Sequence, residues 1–385
     1  MRFVPNCASL EDRVLLSVLP QSMLHQSVEV GKSKPKPKSS PSFSVTVDSD
    51  SQVTLSWNKV SGATGYLVEV NNNQVAQVKP KVNSILLNTL SPNTTYDFDI
   101  VILKGRSKKW ETEKPVTMPP PPLPIAPYIY HPADPNPYEV YNGTLYGPTG
   151  GPLYTDIHQG AVGDCWLESS LAEAALKDPQ AIEHMFTTLG YYNENGIVVE
   201  LWEVHFANTA GYVLVDNEFP TNAQGTPVYD QIYGGVLWVA LLEKAYCEAA
   251  AFGYVINSFT GTYDYVPETY ADINSGNPAW ALTAITGYQA VTTSINTNDM
   301  DVEMITDGDL MVIGSDSTPG NSLIVPSHAY AVLSDNPGAQ YQYTLFNPWN
   351  TPDVYYNDNG VTVFGNVFYA NASFIEQNYA TQSFV

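Results

Sequence analysis

Residues 159–166 read QGAVGDCW, and this stretch indicates both a fold and a chemistry. The run LESSLAEAALKD, which follows this stretch directly, has apolar residues at helical spacing and predicts a helix. Asp164 then stands at the N-cap position and Cys165 in the first turn. The positive end of a helix dipole favours an anion there and lowers the pKa of a thiol. Cys165 is therefore a candidate nucleophile, with inert packing in a core as the alternative.

Two later segments carry residues that a thiol nucleophile requires. Such a nucleophile needs an imidazole to exchange the proton, a group that orients the imidazole, and donors that stabilise an oxyanion. His328 opens the predicted strand HAYAVLS, and Asn347 ends the next predicted strand, YQYTLFN. Adjacent antiparallel strands would bring this base and its orienting partner together. Gln159 and the backbone N–H of Cys165 would hold the oxyanion, and Trp349 would shield the pair from water.

The charge of the chain is concentrated in its C-terminal part. The formal net charge of the 385 residues is −23, and from Tyr138 onward there are 28 acidic residues against only two cations, Lys177 and Lys244. A surface this anionic excludes nucleic acid as a partner, because nothing on it would neutralise phosphates. Solvated surface carboxylates account for such a charge, with cationic substrates and hard metal ions as alternatives. No run of about 18 apolar residues occurs, so we expect no transmembrane segment.

Changes in composition divide the chain into four parts. Residues 1–41 include a tract of lysine, proline and serine and are predicted to be a flexible segment. Residues 42–118 show short alternating strands separated by turns, which is typical of an all-β sandwich. Residues 119–137 are rich in proline and predict an extended linker. Residues 138–385 combine helical with strand patterns, which predicts an α+β unit.

The cysteines and the N-terminus bear on the cellular compartment. Cys7, Cys165 and Cys247 are too few for a disulfide framework, and Cys247, on the apolar face of a predicted helix, is expected in a core. The opening MRFVPNCASLEDRVLLS lacks the apolar segment of an ordinary signal peptide. It resembles the LExRxLLS element near the start of many large secreted bacterial proteins. This favours a bacterial protein that is secreted or held at the cell envelope, with the cytoplasm as the alternative.

The motifs of residues 138–385 together resemble the calpain family of cysteine peptidases. They stand in the family's order: TDIHQGAVGDCW at 155–166, YVLVDNEFPT at 212–221, LWVALLEKAY at 237–246, then HAY and NPW. The resemblance implies a papain-like α+β core of two subdomains. A helical half, about 138–260, would carry Cys165, and a β-sheet half, about 261–385, would carry His328 and Asn347. It also implies an endopeptidase that hydrolyses protein or peptide substrates, with Gln159 at the oxyanion position.

Residues 42–118 resemble a fibronectin type III module. Trp57 lies on the second predicted strand and Tyr66 on the third, and a group near the end looks like the module's tyrosine corner: Leu90, Pro92, Thr95, Tyr96 and Phe98. Nothing in the segment has catalytic spacing. The resemblance implies a spacer, or an attachment module for a partner on a surface or in a matrix.

Calcium activates peptidases of the calpain family. This chain keeps only some of the residues that bind calcium in the family. Gly151 and Asp156 match ligands of the family's first calcium site, but the glutamate of that site is Val236. Loss of a charged oxygen ligand weakens a site that needs six to eight oxygens. The loop after NPW is shortened and leaves Asp353 and Asp358 as candidate remnants of the second site. We therefore expect a peptidase that requires no cofactor and responds weakly, if at all, to calcium.

Glu168 is the clearest departure from the family, because it intrudes into a stretch that is apolar in calpains. Burying a carboxylate without a partner is costly, so we expect Glu168 to face solvent or a polar neighbour. The alternative to an enzyme is a catalytically silent calpain-fold module that binds proteins and is tethered by the fibronectin-like domain. Cys165, His328 and Asn347 are all present, which favours the enzyme.

Overall fold

The computed structural model of the chain describes residues 42–104, 107–112, 115–125, 127, 129, 131–207, 209, 211–258, 261–263, 269–304, 308–349, 355–358 and 360–385. The chain divides between Leu123 and Pro124 into two compact units. The predicted flexible segment 1–41 lies outside the described residues. Within the part of the chain that the structure describes, no helix is long and apolar enough to cross a membrane.

The first unit is an antiparallel β-sandwich, as its alternating pattern predicts. Its strands are β1 (Phe43–Val47), β2 (Val53–Trp57), β3 (Gly65–Val70), β4 (Asn73–Val78), β5 (Ser84–Leu87), β6 (Thr95–Tyr96), β7 (Phe98–Lys104), β8 (Ser107–Thr112) and β9 (Val116–Thr117). One sheet has the order β1-β2-β5 and the other β4-β3-β7-β8, while β6 pairs with β9. The neighbours in each sheet are antiparallel.

Alternate positions of the strands fill the core of the sandwich. In β2 the side chains of Val53, Leu55 and Trp57 are buried and those between them are half-buried, because successive side chains of a strand point to opposite faces. Trp57 packs on Tyr66 with the ring centroids 5.4 Å apart. The hydroxyl of Tyr96 accepts a hydrogen bond from the Ser91 N–H at 2.9 Å. A tyrosine bonded to the backbone a few residues upstream is the predicted tyrosine corner.

The second unit opens with helices and a small sheet. Its elements are β10 (Tyr138–Val140), α1 (Cys165–Lys177), α2 (Pro179–Met185), β11 (Phe186–Glu194), β12 (Ile197–Val204), β13 (Val213–Asp216), β14 (Glu218–Pro220), α3 (Trp238–Ala251) and α4 (Pro278–Thr286). Strands β11, β12 and β13 form one sheet in that order, and β10 pairs with β14. Helices α1, α3 and α4 share one hydrophobic cluster, which also includes Leu310, Ala331 and Phe346 from later in the chain.

An eight-stranded sheet follows. The remaining elements are β15 (Val291–Ser294), α5 (Thr297–Val302), β16 (Met311–Ser315), β17 (Ala329–Asp335), β18 (Tyr343–Phe346), β19 (Tyr355–Asp358), β20 (Val361–Phe364), β21 (Val367–Ala370), α6 (Ala372–Asn378) and β22 (Tyr379–Phe384). The strand order is β15-β22-β16-β17-β18-β21-β20-β19. A helical half followed by a sheet half confirms the predicted α+β class.

Helix α1 lies between the two halves. Its residues from Cys165 to Ala175 are all buried, because the helix packs against α2, α3 and α4 on the helical side and against β16 and β17 of the sheet. A helix covered on every side has no solvent-facing stripe for its polar residues. Every side chain along these three turns therefore contributes to the interior of the second unit.

Candidate active site

Cys165 is the first residue of α1 and is fully buried. Asp164 occupies the N-cap position, as predicted, but its carboxylate makes no capping hydrogen bond. The Asp164 carbonyl oxygen instead accepts from the backbone N–H groups of Leu167 and Glu168, at 2.7 and 3.1 Å, which starts the helix. The sulfur therefore lies at the positive end of the helix dipole, where a thiolate is favoured.

The sulfur of Cys165 contacts the strand that follows the predicted base. The backbone N–H of Ala329 donates a hydrogen bond to Cys165 Sγ at 3.3 Å. Cys165, Val312 and Ala329 form a small buried cluster that joins α1 to β16 and β17. In this structure Cys165 is disulfide-bonded, and Cys247 is buried in the core of the helical half. The thiolate required for attack is thus available only after reduction.

His328 and Asn347 lie side by side, as the adjacency of their strands predicts. Ala331 in β17 pairs with Phe346 in β18, which places the residue before β17 beside the residue after β18. His328 Nε2 lies 2.7 Å from Asn347 Oδ1. A carbonyl oxygen can only accept, so Nε2 carries the proton and Nδ1 holds the basic lone pair. Nδ1 is buried and has no hydrogen-bond partner among the described residues.

Burial governs the charge of the imidazole. His328 is fully buried, and this burial lowers its pKa to about 4, against an opposing contribution from the Asn347 hydrogen bond. The ring is therefore neutral near pH 7 in the disulfide-bonded chain. The aromatic ring of Trp349 lies 4.9 Å from the imidazole, between centroids, and the edge of Tyr330 lies at the same distance on another side. Trp349 is thus placed where shielding of the base was predicted.

Gln159 reaches the same region from the loop before α1. Its backbone N–H donates to the Pro348 carbonyl oxygen at 3.0 Å, and it forms an isolated bridge with Trp349. Its side-chain Nε2 donates to the Val162 carbonyl oxygen at 2.9 Å and to Asp164 Oδ1 at 3.1 Å. Both amide hydrogens are engaged within the loop. Gln159 thus lies in the loop before α1 with its amide directed to Val162 and Asp164, and its predicted oxyanion role stays a prediction.

A group of buried carboxyl groups beside the start of α1 was missed by sequence reasoning. Asp164, Glu168, Asp230 and Glu243 are each at most 2% exposed. Burial raises the pKa of Asp164 to about 7 and that of Asp230 to about 8. Burial, followed by repulsion from the neighbouring carboxylates, raises the pKa values of Glu168 and Glu243 well above their usual range. Of the two surroundings expected for Glu168, solvent is wrong because α1 is covered on every side, and the polar neighbours are Asp164 and Glu243.

The residues at the family's first calcium site do not form a cation site in this structure. Asp156 Oδ2 accepts hydrogen bonds from Trp238 Nε1 at 2.8 Å and from the Leu153 N–H at 2.9 Å. Val236 is buried and offers no side-chain oxygen. A Cβ at Gly151 would lie 2.8 Å from Oε1 of Glu183, so the position is crowded by that side chain. We derive no catalytic step through calcium at these positions.

The candidate remnants of the second calcium site are only partly described. Asp358 is exposed on β19, and its Oδ2 accepts from Asn321 Nδ2 at 3.0 Å. Asp353 lies outside the described residues. Calcium binding by Asp353 and Asp358 therefore stays a prediction.

Two family models match the chain. The model described as a calpain family cysteine protease matches residues 137–355, which is more than half of the chain. The model of the fibronectin type III domain matches residues 35–118. The two matches fall on the two units that the structure separates.

Curated relatives are similar to the protease part. Calpain-14 of Homo sapiens is 26% identical over 209 residues, which cover 50% of this chain and 28% of that protein. The calpain-1 catalytic subunit of Rattus norvegicus is 29% identical over 218 residues, which cover 52% and 28%. That of Sus scrofa is 35% identical over 102 residues, which cover 26% and 14%. The chain thus spans about a quarter or less of the length of these relatives. They are animal proteins and do not support the predicted bacterial origin.

Several solved structures similar to the chain are described as fibronectin type III domains. The crystal structure of chicken CNTN1 FN1–FN3 domains is 24% identical, covers 21% of this chain and 30% of that chain, and has a TM-score of 0.18. The solution structure of the fn3 domain of human contactin 1 is 19% identical, covers 26% and 94%, and has a TM-score of 0.19. Scores this low carry no argument, so the assignment of the sandwich rests on its family model and its strands.

The helix that begins at Cys165, the adjoining pair of His328 and Asn347, and the family match over residues 137–355 agree with one another. The chain therefore belongs to the calpain family of cysteine proteases and carries a fibronectin type III domain ahead of its protease domain.

Proposed function

We propose that this chain is a cysteine endopeptidase that hydrolyses peptide bonds of protein substrates through Cys165, His328 and Asn347. The observation that supports it most directly is the contact between the nucleophile and the base strand. The N–H of Ala329, the residue after the base, donates to Cys165 Sγ at 3.3 Å. His328 Nε2 is meanwhile held by Asn347 at 2.7 Å, which leaves Nδ1 as the atom that exchanges protons.

Before the reaction, an external thiol reductant supplies two electrons and two protons, which split the Cys165 disulfide into two thiols while the reductant is itself oxidised to a disulfide. The resulting thiol passes its proton to His328 Nδ1, because a thiolate at the helix N-terminus and an adjacent imidazolium stabilise each other. The thiolate attacks the scissile carbonyl carbon, and the oxygen becomes an oxyanion. His328 then protonates the leaving amine as the carbon–nitrogen bond breaks. A water molecule, deprotonated by the same imidazole, hydrolyses the thioester and returns the thiol.

The oxyanion requires two donors. One is the backbone N–H of Cys165, and the other is the side-chain amide of Gln159. That amide is engaged with Val162 and Asp164 in this structure. Substrate binding is therefore coupled to a rotation of Gln159 toward Cys165, which opens those two hydrogen bonds.

The fibronectin type III domain serves, in this proposal, to attach the peptidase to a partner on a surface or in a matrix. A silent protein-binding module is the second candidate function. It is favoured by the disulfide at Cys165 and by the engaged amide of Gln159. The two candidates differ in whether reduction alone yields a reactive thiolate.

Release of fragments from casein by the full chain, with and without a thiol reductant, tests the proposal. We expect cleavage by the reduced wild type and none by Cys165→Ala. Cys247→Ala is the matched control, because Cys247 is also buried but lies in the core of the helical half; it should retain cleavage. Equal fragment release by wild type and Cys165→Ala would reject the proposal. An epoxysuccinyl probe that fails to label Cys165 in the reduced chain would favour the silent module.

A further inference from the structure

Three carboxylates meet beneath the start of the catalytic helix. Asp164, Glu168 and Glu243 each offer one oxygen, and these oxygens lie within 4.8 Å of one another. Glu168 lies in the first turn of α1, Asp164 immediately precedes that helix, and Glu243 lies on α3. All three are at most 2% exposed. The group is separate from the residues at the family's calcium positions.

Glu168 supplies an observation that is independent of the clustering. It is fully buried, and neither of its carboxylate oxygens has a hydrogen-bond partner among the described residues. Asp164 Oδ2 and Glu243 Oε1 also have none there. Four carboxylate oxygens thus face the interior without a proton donor from the described part of the chain.

Another buried glutamate of the same helix, Glu173, has a cationic partner on one oxygen, while its Oε1 has no hydrogen-bond partner among the described residues. Glu173 is as buried as Glu168, but its Oε2 lies 2.8 Å from Lys177 Nζ and accepts a hydrogen bond from the Met311 N–H at 3.0 Å. The ion pairs between described residues include none at Asp164, Glu168 or Glu243. When the cluster is ionised, no ion pair between described residues balances its charge.

Hydrogen bonds hold the cluster in place from outside. The second oxygen of Glu243, Oε2, accepts from the Asp230 N–H at 3.0 Å. The second oxygen of Asp164, Oδ1, accepts from Gln159 Nε2 at 3.1 Å. Glu243 and Asp164 are thus each fixed through one oxygen, while Glu168 is held by neither of its oxygens. Such an arrangement is preorganised for a ligand rather than collapsed onto protein donors.

We propose that Asp164, Glu168 and Glu243 bind one calcium ion at the base of the catalytic helix. Carboxylate oxygens without imidazole or thiolate ligands suit a hard cation. Calcium–oxygen distances of about 2.3–2.6 Å allow one ion to bridge oxygens up to roughly 5 Å apart, whereas magnesium, at about 2.0–2.1 Å, bridges only about 4 Å. Three oxygens around one ion can be at most about 4.5 Å apart for calcium and about 3.6 Å apart for magnesium, so calcium accepts more of the separations within the 4.8 Å limit.

Occupancy of this site positions the active-site loop. The ion neutralises Asp164, whose other oxygen accepts from the Gln159 amide. It also ties α1 to α3 at the residue that immediately precedes the nucleophile. Bound calcium is therefore expected to stabilise the helical half whether or not the chain cleaves substrate, so that the site can be tested apart from peptidase activity.

Calcium binding by the full chain tests the proposal directly. After removal of metal with EDTA, equilibrium dialysis against calcium should load one ion that Glu168→Leu does not bind, and calcium should raise the melting temperature of the wild type only. Glu168→Leu replaces an unpaired buried carboxylate with an apolar side chain of similar size, so it should melt above the metal-free wild type. Glu168→Gln, which keeps the shape of the side chain, provides a second test if the leucine variant does not fold.

Two matched controls separate this site from others. Glu139→Gln removes an exposed carboxylate, and Asp156→Asn removes the family-type ligand; both should retain the calcium ion and the thermal response. Magnesium or sodium at equal ionic strength should not reproduce the response, whereas diffuse screening would respond to either. Equal calcium loading of wild type and Glu168→Gln, or loss of loading in Asp156→Asn alone, would overturn the proposal.

Discussion

The Oδ1 atom of Asn347 lies 2.7 Å from His328 Nε2 and also accepts the Trp349 N–H at 3.0 Å. One amide oxygen thereby fixes both the tautomer of the candidate base and the ring that covers it. Because Nε2 is the donor, the orientation of His328 depends on this single acceptor. The relationship makes Asn347 a positioning residue whose loss affects the base without removing it.

Asn347→Ala should lower kcat/KM by about 100-fold. General acid–base catalysis contributes a rate factor of about this size, and it depends on the orientation of the imidazole. KM should change little, because Asn347 is buried behind His328. Steady-state cleavage of a fluorogenic peptide by the reduced chain measures both. Asn298→Ala, at an exposed position in α5, is the control and should behave as wild type. A kcat/KM within twofold of wild type for Asn347→Ala would contradict the assignment.

Acid should destabilise the disulfide-bonded chain through His328. Burial lowers the pKa of His328 in the folded state to about 4 from 6.5. Between these two pH values the imidazole is protonated in the unfolded chain and neutral in the folded chain. Stability is then fully present above pH 6.5 and is lost as the pH falls toward 4, by about 3 kcal/mol for this shift.

Urea unfolding of wild type and His328→Gln between pH 4 and 7 isolates this contribution. The free energy of unfolding of the wild type should fall more steeply with acid than that of the variant. Parallel curves for the two proteins would show that the imidazole is not held neutral by burial.

Gly160→Ala should disrupt the loop that carries Gln159. A Cβ at Gly160 would lie 1.7 Å from the Tyr229 carbonyl oxygen, which is backbone and cannot rotate away. We expect a loss of about 3 kcal/mol in the free energy of unfolding, at the upper end of overpacking costs. Gly320→Ala is the matched control, because its Cβ would meet nothing closer than 3.7 Å. Similar melting temperatures for the two variants would refute the close approach.

Lys244→Met should destabilise the helical half. The Lys244 ammonium lies 2.6 Å from Asp216 Oδ1, and both side chains are fully buried. Burial alone would raise the pKa of Asp216, but Lys244 and then His131 outweigh it and hold that pKa well below its usual range. Removal of the ammonium leaves a buried carboxylate with His131 as its remaining partner among these groups, at a cost of about 3 kcal/mol.

The double variant Lys244→Met, Asp216→Asn should recover part of that loss, because the uncompensated charge is then gone. Urea unfolding at pH 7 measures both variants. If the double variant is as unstable as the sum of the single variants, the ion pair does not account for the cost.

Local patterns were sufficient to predict the sheet edge that carries His328 and Asn347, because strand alternation and a short connection define neighbouring strands. They also predicted the tyrosine corner at Tyr96. Solvent exposure of Glu168 was wrongly expected for a physical reason. Periodicity shows which face of a helix is most apolar, but it does not show whether the opposite face is also covered by other elements. The carboxylate cluster unites Asp164 with Glu243 on another helix, and such distant proximity has no local signal.

Strand β22 lies inside the eight-stranded sheet, hydrogen-bonded to β15 on one side and to β16 on the other. The sheet that holds His328 therefore cannot close until residues 379–384 have been made. On a ribosome, those residues follow Cys165 by about 200 positions, or roughly 10–40 seconds at the usual speed of synthesis. The nascent chain thus carries Cys165 for that interval before the sheet around His328 is complete, so the order of the strands delays assembly of the proposed active site until the whole second unit has been translated.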